Sequence, residues 1–110
     1  MNSPFKLHKI KNKYTITWPT FHNIRGNETC YNLLTLLFER FKLCYVQLLL
    51  NDNNMVTIND SIWYSNGGMH YSEWLMSQYD ITGVVFDKKE EALALKDELE
   101  KRYMWKILKS

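Results

Sequence analysis

Alanine is nearly missing from this sequence: among 110 residues it occurs only at Ala92 and Ala94. Cysteine is almost as scarce. Two of them, Cys30 and Cys44, cannot build a disulfide framework, and both fall within apolar patterns, so the expectation is a pair of reduced, buried thiols. Long hydrophobic runs are absent. The longest apolar stretch, around Leu48-Leu49-Leu50, is far too short to cross a bilayer, and Met1-Asn2-Ser3-Pro4-Phe5 lacks the apolar run of a signal peptide. These absences predict a soluble, cytoplasmic protein. There is also no excess of one charge. A net charge of +2 excludes a uniformly basic nucleic-acid coat. With no repeat, low-complexity tract or linker, residues 1–110 read as one α+β domain, long enough to bury a core of its own.

What the sequence does have is apolar and aromatic bulk, 45% and 15% of the residues, enough to offset chain entropy and argue against disorder. Charge is unevenly spread. Residues 1–25 carry Lys6, Lys9, Lys11, Lys13 and Arg25 with no acid, whereas residues 26–80 carry six acids against two bases. Plentiful Asn, Lys, Ile and Tyr resemble the compositional bias of AT-rich genomes such as those of many bacteriophages.

The clearest elements lie toward the carboxy terminus. Thr82-Gly83-Val84-Val85-Phe86 suits a half-buried strand, and Asp87-Lys88-Lys89-Glu90 reads as a capping box. Ala92, Leu95 and Leu99 then fall on one helical stripe, with Asp97–Lys101 and Glu98–Arg102 as exposed ion pairs. Tyr103 to Lys109 alternates like a returning strand. Upstream, Phe5–Ile10 and Lys13–Trp18 form a hairpin about Lys11-Asn12. Asn27 is the expected N-cap of a strongly amphipathic helix with Cys30, Leu33, Leu34, Leu37, Phe38 and Phe41 on one face. Leu43–Leu50 reads as a strand, Asn51–Asn54 as a turn, and Met55–Ile58 as its return, extending into Ser61–Tyr64. After Asn66-Gly67-Gly68, Met69–Ser72 reads as a strand pairing back and Glu73–Tyr79 as a short helix. The whole predicts an antiparallel sheet with two main helices on one face. Its core would be a ferredoxin-like βαββαβ arrangement, with an added amino-terminal strand and a hairpin or short-helix insertion.

Gly83-Val84-Val85-Phe86-Asp87-Lys88-Lys89-Glu90-Glu91-Ala92 resembles the third strand and second helix of RNA-recognition motif domains, whose strand reads Lys/Arg-Gly-aromatic-Gly/Ala-Phe-Val-x-aromatic. The similarity covers about a tenth of the chain and puts Val84 on the family's core valine. It also puts Ile81 and Gly83 where the base-stacking aromatics belong, and glycine cannot stack. What the resemblance implies is a shared fold, not RNA binding through this strand.

No catalytic or metal motif stands out, and no cofactor is implied. His8, His22 and His70 with Cys30 and Cys44 are the only soft ligands, none at a ligand spacing. Cys30 beside His22 or His70 would make a nucleophile, but its place on a buried stripe makes it inert. Asp60, Glu73 and Asp80 show no spacing that pairs any two. Arg25-Gly26-Asn27-Glu28, a loop glycine ahead of a helix, reads as an ordinary helix start more readily than as an anion cradle. Two surfaces remain. Lys6, Lys9, Lys11 and Lys13, beside His8, Phe5, Tyr14 and Trp18, interleave charge with rings, as a single-stranded nucleic-acid surface does; the simpler reading is an edge hairpin guarded by lysines. Trp63, Tyr64, Met69, Tyr71, Trp74, Met76 and Tyr79 crowd a short segment with more bulk than one insertion normally buries. The expectation is therefore a non-catalytic protein that binds a partner protein through Trp63, Tyr64, His70, Tyr71 and Trp74, with Phe21, His22 and Arg25 in the adjoining loop.

Overall fold

The computed structural model describes residues 3–17 and 26–104, with side chains at all of these except 26–29, 103 and 104. In chain order the elements are β1 Lys6–Ile10, β2 Lys13–Thr17, α1 Gly26–Thr35, β3 Tyr45–Leu50, β4 Met55–Asn59, α2 Asp60–Ser65, α3 Met69–Gln78, β5 Ile81–Phe86 and α4 Lys89–Leu99. Helices α1 and α4 run on as π-helical turns over Leu36–Arg40 and Glu100–Met104. The result is an α+β arrangement of four helices and a five-stranded antiparallel sheet ordered β1-β2-β5-β3-β4.

Two local hairpins frame the sheet. Lys11-Asn12 joins β1 to β2, with Lys11 at φ 55°, and Asn51–Asn54 joins β3 to β4, with Asn53 at φ 68°. Helix α1 carries the chain from one hairpin to the other, and β5 enters the gap between them, pairing with β2 on one side and β3 on the other. The inner order β2-β5-β3 is that of a split β-α-β unit. The complete ferredoxin-like order is not observed. Its edge position beside β2 belongs to a strand returning from the last helix; here β1 holds that edge, because a two-residue turn delivers it there directly. Where Tyr103–Lys109 was expected to return as a strand, Tyr103 and Met104 still follow the helical path, and residues 105–109 lie outside the described residues.

Strand β5 was expected to be half-buried and is instead central, with Ile81, Gly83, Val84, Val85 and Phe86 all buried. Such a strand needs a near-continuous apolar run, which it has. Val84 packs into the main core with Ile16, Val46, Leu48 and Ile58 of the neighbouring strands, and the helices add Leu33, Leu34, Leu37, Ala92, Leu95 and Leu99. Both predicted helical stripes are therefore buried as the periodicity requires, except that Phe41 at the end of the first is only half-buried. Val85 and Leu49, with Thr15, are buried on the opposite face, outside that cluster. Close approach at the centre depends on Gly83: a Cβ there would lie 2.3 Å from the Ile16 carbonyl oxygen and 2.9 Å from Thr17 Cγ2.

Several local expectations are corrected. Helix α1 is already running at Gly26, so Asn27 lies inside its first turn rather than capping it. Helix α4 has Lys88 as its N-cap with no side-chain capping bond, because the Asp87 carboxylate pairs with Lys13 of β2 instead. Cys44 is exposed, not buried: it stands one residue ahead of β3, beyond the cover of the helices, while Val46 and Leu48 on the same face are enclosed. Asp60–Ser65 is helical rather than an extension of β4, and Met69–Ser72 begins a helix rather than a strand.

Candidate functional site

The aromatic segment folds as two short helices about a glycine turn. Asn59 enters α2 from an extended conformation, and Asp60 Oδ1 accepts from the Ser61 amide at 2.7 Å. The helix stops after six residues, where the Asn66 side chain donates to the Ile62 carbonyl at 2.8 Å and the chain passes through Gly67 at φ 78° and Gly68 at φ 42°. Positive φ at both positions is what glycine supplies at least cost. Gly68 N–H donates to the Trp63 carbonyl at 2.9 Å and α3 begins.

Trp63 is the peg of this corner. It is 2% exposed, lies 5.7 Å from the Tyr31 ring and 5.4 Å from Phe38, and donates from Nε1 to Ser72 Oγ at 3.3 Å. Ser72 in turn donates to the Gly68 carbonyl at 2.9 Å, so the buried hydroxyl is fully used. Cys30 of α1 closes the same corner. Burial pushes its thiol up to about 12, against a smaller lowering from a hydrogen bond to Ser72, which leaves it protonated and unreactive.

A second group of rings is built differently. Tyr71 and Trp74, three residues apart on α3, stack at 5.5 Å with 16° between their planes, and Tyr79 meets Trp74 edge-on at 6.3 Å. Trp74 nevertheless remains 48% exposed, and Met69, His70 and Glu73 beside it are exposed as well. Burial, then the neighbouring Tyr79, raises the Tyr71 phenol above its ordinary value, so it stays a neutral donor. Tyr64, 49% exposed, leans on the Trp63 edge at 5.0 Å; burial, then the charges of Glu39 and Asp60, raises its phenol too.

The residues expected to form one surface are thus divided. Tyr64, His70 and Trp74 are exposed, Tyr71 is half-buried, and Trp63 is part of the core. Phe21, His22 and Arg25 lie outside the described residues. On the basic hairpin, Lys6, Lys9 and Lys11 are exposed, but Lys13 pairs with Asp87, Lys9 sits over the Tyr14 ring, Phe5 is buried and Tyr14 packs on the core. Neither Phe5 nor Tyr14 is free to stack on bases, and Trp18 lies outside the described residues. Residue type and spacing did not single out Ile62 or Tyr45, both exposed, nor a cleft of about 320 Å³ between Phe41, Leu43, Phe86, Glu90, Glu91 and Ala94. A smaller cleft that shares Leu43, Phe86 and Glu91 with it is lined by Cys44, whose exposure has no signal in the apolar alternation of its strand.

Among the described residues no group of three or more His, Cys, Asp or Glu side chains converges as a metal site, and no helix is long and apolar enough to cross a membrane. No family model matches the chain, and no curated protein or solved structure matches it.

Proposed function

We propose that the protein acts without catalysis, by binding a partner protein through the exposed side of α3 and the neighbouring Tyr64. One observation carries this reading: Trp74 is held between Tyr71 and Tyr79 yet leaves nearly half its surface, 48%, in water. A ring fixed in place loses little further freedom on binding, and tryptophan and tyrosine give the largest contact area for that cost. Glu73 on the same helix and the acid excess of residues 26–80 suit a partner with basic groups at the rim of its contact. A cytoplasmic accessory or inhibitor of the phage type, engaging a host protein, is the version that size and composition support.

Pull-down from a candidate host lysate tests it. Wild-type protein retains a specific partner and Trp74→Ala, still folded by circular dichroism, loses it. Retention unchanged by Trp74→Ala and by Tyr64→Ala overturns the reading. Single-stranded nucleic acid bound through Lys6, Lys9, Lys11 and Lys13 is the alternative, and a labelled oligonucleotide bound tightly at low salt and released steeply as salt rises would establish it.

A further inference from the structure

The two edges of the sheet are treated in opposite ways. β1, Lys6–Ile10, carries Lys6 and Lys9 on an outer edge, with Lys11 in the turn beyond, the usual guard against unwanted strand pairing. β4, Met55–Asn59, reads Met-Val-Thr-Ile-Asn and has no charge and no proline. It is the other outer strand, and among the described residues nothing pairs with its far side.

The phase of the β3–β4 ladder identifies which backbone groups are free. Leu50 N–H donates to the Asn54 carbonyl at 2.8 Å and Asp60 N–H to the Cys44 carbonyl at 3.0 Å. With Val46 opposite Ile58 and Leu48 opposite Val56, these are the hydrogen-bonded pairs, because such pairs alternate along an antiparallel ladder. Met55, Thr57 and Asn59 therefore direct their N–H groups outward, and Met55 and Thr57 their carbonyls too; the Asn59 carbonyl is committed to the first turn of α2.

We infer that β4 pairs with β4 of a second copy of this chain, joining two five-stranded sheets into one across a two-fold axis at Thr57. Self-complementarity decides for this occupant. An antiparallel two-fold pairing centred on Thr57 sets Thr57 against its own copy, Met55 against Asn59, Val56 against Ile58 and Asn54 against Asp60, so no acid faces an acid and no base a base. The same operation on β1 would bring lysines of the two copies together along one edge.

The register makes the test specific. Thr57 against its own copy is a fully hydrogen-bonded pair, with Cα atoms about 5.5 Å apart, within the range a disulfide spans. In a Cys44→Ser background, which removes the exposed thiol, Thr57→Cys should form a covalent dimer under mild oxidation, while Met55→Cys alone should not, since its opposite number is Asn59. Sedimentation of the unmodified protein over a concentration series should show dimer, and Thr57→Lys should weaken it at least tenfold while leaving the fold intact. Monomer throughout overturns the inference. So does a dimer that Thr57→Lys leaves unchanged or that Met55→Cys traps as readily as Thr57→Cys.

Discussion

The centre of the sheet and the α2–α3 corner solve the same problem, disposing of bulky apolar residues, in different ways. Around β5 every position but Thr82 is closed, and the tolerance is that of backbone against backbone: Gly83 leaves no room for one methyl group. At the corner one tryptophan is sealed and hydrogen-bonded, and the other, eleven residues later, is propped up by two tyrosines and left half in water. A residue type says how much surface there is to hide; which residues are hidden depends on helix phase. Trp63 points from α2 toward Tyr31 and Phe38, while Trp74 lies one position away from Leu75, the residue that faces the core.

The sharpest way to break this contrast is at the centre. Gly83→Ala forces a Cβ to within 2.3 Å of the Ile16 carbonyl oxygen, and since that contact is backbone, no rotamer change relieves it. The expected loss is about 3 kcal/mol or more, at the upper end of overpacking costs, read as a fall in the urea midpoint with an unchanged slope. A loss below 1 kcal/mol would mean that β2 and β5 can separate without disturbing their neighbours.

At the corner, Trp63→Ala should cost about 3–5 kcal/mol, the range for deleting a large buried ring, and Ser72→Ala about 1–2 kcal/mol, because it leaves the buried Trp63 N–H without an acceptor. Equal losses for the two would show that the hydrogen bond, and not the ring packing, fixes α2 to α3. Alkali probes the same place. The Cys30 thiol is raised from an ordinary 9.0 to about 12 by burial, so the folded state holds its proton more tightly than the unfolded chain. Its contribution to stability is complete below pH 9.0 and is lost as pH climbs toward 12. Cys30→Ala should flatten that part of the pH profile. A thiol reagent at neutral pH should label Cys44 quickly and Cys30 only on unfolding.

Much of the centre was legible in advance, because its signals are periodic and local. The stripe from Cys30 to Phe38, the stripe of Ala92, Leu95 and Leu99, the pairs Asp97–Lys101 and Glu98–Arg102 and both tight turns appear where spacing put them. Strand order was less so, since nothing in β5 records that it slips between two hairpins. The corner was hardest to read. Met69, Tyr71, Trp74, Leu75, Met76 and Tyr79 put bulk on every side of α3, so the apolar period that should mark a helix is blurred, and Met69–Ser72 imitates a strand. The blurring has a physical source: Met69 and Trp74 occupy positions a solitary folded helix would give to polar residues. The side chains that spoil the helical pattern, Met69 and Trp74, are the ones left exposed.

Trp74→Ala therefore separates the two regions most finely. It deletes a side chain that is 48% exposed but whose ring partners, Tyr71 and Tyr79, are half-buried against the core, so its cost to stability should be about 1–2 kcal/mol, well below that for Trp63→Ala. Tyr71 loses its stacking partner and Tyr79 its edge contact, each worth about 0.5–1 kcal/mol beyond area in favourable cases, and relief of the exposed indole offsets part of that. Partner capture should fall far more than stability does. If Trp74→Ala instead melts the protein as Trp63→Ala does, the Tyr71–Trp74–Tyr79 stack is a structural brace for α3, and the binding surface must be sought elsewhere, with exposed Tyr64 and Ile62 the next residues to replace.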